Sequence, residues 1–204
     1  PVSITPLSLS MFKDYSESHT DGSNAFIYTR FLTPYLKNFQ GVSLFIDGDM
    51  IVNGDLRNLL SLYDDKYAVQ VVKHDYKTKF KTKYLGNNNE DYPRKNWSSV
   101  VLFNCAHKSN RILTPELITR SQGSYLHRFS WLKDSEIGEL PVEWNYLVKE
   151  FKPNPKASLL HYTLGTPCFS DYNNGQEAII WHEYFSNLLE GFDKIEKKKQ
   201  AIGK

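Results

Sequence analysis

The stretch Val42-Ser43-Leu44-Phe45-Ile46-Asp47-Gly48-Asp49 decides the fold of this 204-residue chain. Its first five residues form a nearly unbroken apolar run, which is typical of a strand buried on both faces of a parallel sheet. Two carboxylates follow directly, separated by one glycine. Because ligands bind beyond the carboxyl ends of strands in open α/β sheets, the stretch predicts both a central strand and a binding site.

Outward from this strand, apolar runs and helical periodicities alternate along the chain. The runs predict further strands at 2–5, 67–72, 100–104 and 158–162, and the periodicities predict helices at 25–39, 56–63 and 177–192. Strands that alternate with helices predict an α/β fold with a mainly parallel central sheet flanked by helices. We find no internal repeat, so we predict one domain over residues 1–192 and a charged C-terminal tail over 193–204.

Composition excludes several classes of protein. The net charge of +2, from 25 Lys/Arg against 23 Asp/Glu, leaves no basic surface of the kind that binds nucleic acid. Two cysteines, Cys105 and Cys168, cannot form a disulfide scaffold or a four-cysteine zinc site. No apolar run approaches the ~20 residues that span a bilayer, and the N-terminus has no basic leader. We therefore expect a cytoplasmic protein without a transmembrane segment.

The pair Asp47 and Asp49 has the chemistry of a metal site. At a spacing of two along an extended chain both side chains point the same way, and Gly48 between them allows a close approach of the backbone. Two hard oxygen ligands suit Mg²⁺ or Mn²⁺ shared with a phosphate group. An exposed turn is the other interpretation of an isolated pair of this kind.

Among the six histidines, His161 has the most suggestive position, because it follows the apolar pair Leu159-Leu160. It is a candidate third metal ligand. The loop after it contains Gly165 and Thr166, whose backbone N–H groups are candidates for holding a diphosphate. A histidine at a strand end that bonds only to backbone is the alternative interpretation.

Several stretches together, in this order, resemble the retaining glycosyltransferases of family 8 and their bacterial relatives. They are Tyr28 to Leu36, Ser43 to Val52, Tyr92 to Asn104, Leu140 to Asn145 and His161 to Phe169. The resemblance covers residues 1–172. It implies a GT-A (Rossmann-like) fold, whose first strand we expect to precede Pro1.

The resemblance also implies a nucleotide-diphospho-sugar donor, by default UDP-linked, and a divalent cation, Mn²⁺ or Mg²⁺. Asp47 and Asp49 match the residues that bind the cation together with the ribose and diphosphate of the donor. His161 matches the third protein ligand, and Arg30 matches an arginine that contacts the donor sugar.

Five further residues are expected near the donor. Ser98 and Ser99 match a segment that lines the sugar pocket, and Trp97 is a candidate for stacking on a sugar ring, although a core position is its alternative. Gly165 and Thr166 lie in the loop assigned above to the diphosphate.

Two departures from the family pattern are visible. A Lys-Pro-Trp segment usually follows the histidine, whereas this chain has Pro167-Cys168-Phe169. The phosphate-binding lysine is therefore absent or supplied by Lys79, Lys81 or Lys83. An acidic-Gln motif is expected on the reaction face, but residues 126–131 contain no carboxylate.

The predicted reaction is metal-dependent transfer of a hexose to a glycan or other hydroxyl acceptor, with retention of configuration. No catalytic nucleophile is assigned, because the nearest acids in sequence have the character of exposed loop residues: Asp134, Glu136, Glu139 and Glu143.

Two alternative functions stay open. A nucleotidyltransferase normally has a Gly-rich basic loop near its N-terminus, and this chain has none. A non-catalytic module that binds sugar nucleotides or glycans is the other.

Overall fold

The computed structural model describes residues 3–17, 19 and 27–202, with side chains up to Ile195 in the last helix. In that part of the chain the strands are β1 (Val42–Ile46), β2 (Met50–Val52), β3 (Val69–Val71), β4 (Val100–Asn104), β5 (Ile137–Glu139), β6 (Tyr146–Leu147) and β7 (Leu159–His161). The α-helices are α1 (Thr33–Leu36), α2 (Leu56–Leu60), α3 (Pro115–Arg120), α4 (Gly123–His127) and α5 (Gln176–Ile202). Short 3-10 helices connect them, including Ile27–Leu32, Tyr84–Gly86, Trp97–Ser99 and Val142–Asn145.

The strands form two mixed sheets. One has the order β1-β4-β3-β5 and the other the order β2-β7-β6. In the first sheet β1, β3 and β5 run in the same direction, but β4 lies between β1 and β3 and runs against both. The predicted α/β class is confirmed. The mainly parallel pairing is wrong, because three of the five strand pairs are antiparallel.

The burial of β4 explains why its direction could not be predicted. Val101 and Phe103 belong to one hydrophobic cluster, while Val100 and Leu102 belong to another on the opposite face of the sheet. A strand covered on both faces has a continuous apolar sequence whether its neighbours are parallel or antiparallel. The apolar run therefore indicates burial and carries no information about direction.

The N-terminal region differs from the predicted strand and helix. Residues 3–5 of the strand predicted at 2–5 are irregular and exposed, while residue 2 lies outside the described part of the chain. Alternation alone does not make a strand when no neighbouring strand pairs with it. The helix predicted at 25–39 begins outside the described residues and appears as a 3-10 turn that continues into α1, with Pro34 at its second position.

The last helix extends further than predicted. Helix α5 runs without a break past residue 192 to Ile202, so the predicted tail is helical up to that residue. Its first turns pack on the body, where Ala178 is buried and Trp181 contacts the cluster around Tyr146 and Leu160. None of the described helices is long and apolar enough to cross a membrane.

Candidate functional site

Two carboxylates and an imidazole meet where the chain passes from the first sheet to the second. Asp47 follows β1, Asp49 precedes β2, and His161 ends β7. One potential ligand atom from each lies within 4.8 Å of the others. The structure therefore brings together the three residues that the sequence analysis assigned to a metal.

The second sheet holds Asp49 beside His161. In the antiparallel pair of β2 and β7, Met50 is the partner of His161, and the Tyr162 N–H donates to the Asp49 carbonyl at 3.0 Å. This pairing leaves Nε2 of His161 at 3.4 Å from Oδ1 of Asp49. The short distance follows from strand register, so it depends on the backbone and not on two flexible side chains alone.

The orientation of His161 is set by a buried amide. Its Nδ1 lies 2.9 Å from Oδ1 of Asn145, a side chain with no solvent exposure. The Asn145 amide nitrogen donates to the carbonyl of Asn96 at 3.0 Å, so its oxygen is the acceptor. Nδ1 of His161 therefore donates to Asn145, which turns Nε2 towards Asp49; this is the orientation of a metal-binding histidine whose other ring nitrogen is held by a hydrogen bond. The alternative of a histidine bonded to backbone is not what the structure contains.

Arg30 holds the other carboxylate. Its Nη1 and Nη2 contact the two oxygens of Asp47 at 3.1 and 2.8 Å, while Nε donates to the Ile27 carbonyl at 2.8 Å. The guanidinium is nearly buried and also lies over the ring of Phe45. Arg30, assigned by resemblance to the donor sugar, is thus engaged in positioning Asp47 in this conformation.

The segment 97–99 lies behind these groups. The carbonyl of Ser98 accepts from Arg30 at 2.9 Å, and the carbonyl of Ser99 accepts from the Asp47 N–H at 3.0 Å. Trp97 donates through Nε1 to the carbonyl of His74 at 2.9 Å. The backbone of this segment therefore supports the carboxylates.

The loop after His161 is packed tightly. The Gly165 N–H donates to the Tyr162 carbonyl at 2.9 Å, so in this conformation it is not offered to a phosphate. A Cβ on Gly165 would come within 2.5 Å of the Tyr172 ring, which explains the glycine without a ligand. The hydroxyl of Thr166 lies 2.8 Å from the Cys168 sulfur.

Charge at the site is balanced by nearby cations. Burial by itself would raise the pKa of the Asp49 carboxyl, but the charge and hydrogen bond of His161, with Arg30 beyond it, lower that pKa below its ordinary value. Lys83 lies close enough to Asp49 and Asp47 for their charges to stabilise its ammonium group. Burial lowers the pKa of Lys83, and the two carboxylates partly oppose this shift. The other two candidate lysines, Lys79 and Lys81, are exposed.

A groove of about 650 Å³ lies beside the ends of β3 and β5. Its lining includes Lys73, His74, Asp75, Glu139 and Val142. The Nε2 atom of His74 is buried and has no hydrogen-bond partner among the described residues. Sequence reasoning missed His74 because its only local signal is a position just after a strand.

Burial lowers the pKa of His74 to about 3, and the nearby His161 adds to this effect. The unfolded chain therefore takes up a proton near pH 6.5 that the folded chain does not, so stability falls as the pH falls below 6.5. The free energy of unfolding falls in the unsubstituted chain when the pH is lowered from 7 to 5. We expect this fall to be smaller by about 2 kcal/mol in His74→Gln, which lacks the imidazole. Urea unfolding at both pH values measures this; equal losses in the two proteins would contradict it.

Comparisons with known proteins show which family this chain resembles. The family model described as Glycosyl transferase family 8 matches residues 3–163. Protein CDI of Arabidopsis thaliana is 41% identical over 210 residues, which cover 98% of this chain and 79% of that protein. Among solved structures, the glycosyltransferase GlyE of Streptococcus pneumoniae TIGR4 matches 82% of this chain with a TM-score of 0.53 at 17% identity. The match spans 46% of the GlyE chain. At 17% identity it concerns the fold alone, and it agrees with the predicted GT-A fold.

Proposed function

The chain belongs to glycosyl transferase family 8 and is a glycosyltransferase, and we propose that it transfers a hexose from a UDP-linked donor to a glycan or other hydroxyl acceptor. The proposal includes retention of configuration and a divalent cation, Mn²⁺ or Mg²⁺. The observation that carries it is the cluster of Asp47, Asp49 and His161.

The donor set of this cluster fits a divalent cation. Carboxylate oxygens suit Mg²⁺ and Mn²⁺, and the imidazole nitrogen favours the transition metal. The 3.4 Å between His161 Nε2 and Asp49 Oδ1 is close to the roughly 3 Å that separates neighbouring ligands around an octahedral ion. When bound, the cation neutralises the negative charge that develops on the departing nucleotide diphosphate.

The chain's own residues prepare this site. Arg30 contacts both oxygens of Asp47, and Asn145 holds Nδ1 of His161 so that Nε2 is directed towards Asp49. We propose that Lys83 supplies the second positive charge to the diphosphate, in place of the lysine that the family usually has after the histidine. Its neighbour Tyr84 supports this, because Tyr84 donates through its N–H to the Leu164 carbonyl and stacks on Phe169. These contacts join the connection between β3 and β4 to the segment after His161.

Replacing Lys83 by Met is expected to weaken donor binding by about tenfold or more, because a charge-assisted contact to phosphate contributes roughly 1.5–3 kcal/mol. The matched control is Lys81→Met, two residues away on the same loop and exposed. Titration of UDP in the presence of Mn²⁺ measures both. Equal affinities for the two variants would contradict the assignment of Lys83.

We assign the groove beside His74 to the acceptor. The ring of His74 lines the groove, and the carboxylates of Asp75 and Glu139 line it as well. Apolar contacts come from Val142 and Phe151. A sugar acceptor presents hydroxyl groups together with an apolar ring face. A lining that mixes polar and apolar side chains binds both.

Filling the groove tests this assignment. Val142→Trp is expected to raise the acceptor KM by about tenfold or more while leaving slow donor hydrolysis unchanged, because the ring occupies acceptor space only. Ile112→Trp is the control, since Ile112 is exposed to a similar degree (42% against 45%) and does not line the groove. An acceptor KM that stays the same in Val142→Trp would place the acceptor elsewhere.

For the chemical step we propose attack on the same face from which the leaving group departs. The acceptor oxygen bonds to the anomeric carbon as the bond from that carbon to the phosphate oxygen breaks, and the hydroxyl proton passes to the leaving phosphate. No protein nucleophile is needed. Of the acids considered from the sequence, Asp134 pairs with Arg94 and Glu136 accepts from Ser109, so both have other partners.

The experiment that tests the proposed function is a panel of nucleotide sugars incubated with the chain and Mn²⁺. We expect slow hydrolysis of one UDP-hexose, with loss of hydrolysis after chelation. Binding without any turnover across the panel would favour the non-catalytic alternative, and turnover unaffected by chelation would overturn the metal assignment.

A further inference from the structure

Glu150 is a buried carboxylate that the proposed reaction does not use. It follows β6 in the chain, and the residue is only 2% exposed. Its Oε2 accepts from the Lys79 N–H at 2.9 Å, and its Oε1 accepts from the side-chain amide of Asn89 at 3.1 Å. Both donors belong to the connection between β3 and β4. Because burial of a carboxylate is costly, hydrogen bonds to both of its oxygens indicate a specific role in holding this connection.

The two donors lie at the base of a hairpin over residues 79–89. Its arms pair at an antiparallel bridge between Thr82 and Asn88, and the turn between them contains the 3-10 helix Tyr84–Gly86. Each oxygen of Glu150 bonds to a different arm. The carboxylate therefore ties the two arms together at the base, opposite the turn.

Lys95 fixes the orientation of the Asn89 side chain. The lysine is buried, and its ammonium group donates to Asn89 Oδ1 at 2.6 Å and to the Glu90 carbonyl at 2.7 Å. An ammonium group only donates, so Oδ1 is the acceptor and the amide nitrogen of Asn89 faces Glu150. Lys95, Asn89 and Glu150 therefore form one buried polar network at the base of the hairpin.

Lys83 occupies the first arm of this hairpin, immediately before the turn. Its N–H donates to the Asn87 carbonyl on the second arm at 2.7 Å. On its other side the Tyr84 N–H donates to the Leu164 carbonyl at 2.8 Å. Lys83 thus lies between two anchors, which are Glu150 at the base of the hairpin and the Tyr84 contact at its turn.

Glu150 also acts on Lys83 through its charge. Burial lowers the pKa of Lys83, while the charges of Asp49 and Glu150 oppose this shift. The carboxylate of Glu150 therefore favours the charged form of the lysine, which is the form that attracts a diphosphate. A glutamine at position 150 keeps the size of the side chain but lacks this charge.

From these contacts we propose that Glu150 is a positioning residue for the diphosphate of the donor. It clamps the hairpin over residues 79–89, so that Lys83 stays beside Asp47 and Asp49. This role rests on the assignment of Lys83 to the diphosphate in the proposed function, because Glu150 acts through that lysine and does not contact the donor itself.

Limited proteolysis with trypsin tests the clamp, because Lys79 and Lys81 are exposed on the hairpin. In Glu150→Gln the amide oxygen can accept from only one arm, and the amide nitrogen faces the donor of the other arm. We expect the hairpin of this variant to be cleaved about fivefold faster or more, because opening of the base exposes its backbone. Mass spectrometry identifies the cleavage sites. The matched control is Glu90→Gln, at an exposed glutamate on the same connection, and it should be cleaved at the parent rate.

Titration of UDP in the presence of Mn²⁺ tests the link to Lys83. Glu150→Gln is expected to weaken UDP binding by about fivefold or more, because Lys83 is no longer held in place. In a Lys83→Met background the same substitution should change the affinity by less than about twofold, since no lysine is left to position. A residue that only stabilises the fold would lower the affinity by the same factor in both backgrounds.

Asn89→Asp tests the same clamp from the side of the hairpin and provides the measurement if Glu150→Gln does not fold. Its carboxylate still accepts from Lys95, but it replaces the donor that lies 3.1 Å from Glu150 by a second negative group. We expect the same faster cleavage and the same loss of UDP affinity that depends on Lys83. Asn88→Asp is the matched control, because it adds an equal charge at the neighbouring exposed position. It should bind UDP like the parent chain.

Two results would overturn the role of Glu150 while leaving the assignment of Lys83 intact. They are parent rates of hairpin cleavage in both clamp variants, and a loss of UDP affinity that is equal with and without Lys83. A third result, equal UDP affinities of Lys83→Met and Lys81→Met, would overturn both. The failure of the clamp is thus distinguishable from the failure of the proposed function.

Discussion

Asp49→Asn is expected to lower the rate of Mn²⁺-dependent sugar transfer by about a thousandfold or more, because a bound cation provides several kcal/mol of transition-state stabilisation. The amide keeps the size of the side chain but removes the negative charge that lies 3.4 Å from His161. The Asp49→Asn variant is therefore expected to bind the cation poorly and to lose the neutralisation of the diphosphate that the cation provides. The measurement is the initial rate of donor turnover at saturating Mn²⁺.

The control for this variant is Asp65→Asn, at an exposed aspartate that is not part of the cluster. Its rate should equal that of the parent chain. Thermal unfolding of Asp49→Asn separates loss of the cation site from loss of the fold. A rate for Asp49→Asn within about threefold of the parent rate would contradict the assignment.

Arg30→Met is expected to lower the free energy of unfolding by about 3 kcal/mol, because it leaves the charge of Asp47 without its partner in a poorly solvated place. The Arg30 and Asp47 side chains are only 10% and 20% exposed, so solvent screens this pair weakly. Adding Asp47→Asn to Arg30→Met removes the uncompensated charge and should recover at least half of the loss. Urea unfolding of the two single variants and the double variant measures the coupling.

A surface pair provides the contrast. Arg120 and Glu116 also form an arginine–carboxylate contact, but both side chains are mostly exposed. Arg120→Met should therefore leave stability unchanged within measurement error. Losses of equal size in Arg30→Met and Arg120→Met would contradict the view that Arg30 holds Asp47 in a buried ion pair.

The members of the Asp47, Asp49 and His161 cluster were predictable because each has a local signal. Asp47 and Asp49 end an apolar strand, and His161 ends another, so strand ends made each residue a candidate ligand, and the family resemblance indicated that the three belong to one site. What holds them in place was not predictable. Arg30 lies 17 residues before Asp47, and Asn145 lies 16 residues before His161, so neither contact has a periodicity that a sequence pattern reveals.

Other positions show where a sequence pattern has more than one physical cause. Three lysines in one loop were equivalent in sequence, and only the folded loop distinguishes Lys83, which faces the carboxylates, from Lys79 and Lys81. Gly165 had the pattern of a phosphate loop, yet the Tyr172 ring accounts for the missing side chain. The apolar run of β4 predicted burial correctly but was silent about strand direction.

Calorimetric titration of UDP into the chain with Mn²⁺, and again after chelation, tests the cation assignment most directly. Since Asp47, Asp49 and His161 are assigned to a cation that is shared with the diphosphate, we expect affinity to fall by about a hundredfold or more when the cation is removed. The same UDP affinity with and without Mn²⁺ would contradict the account.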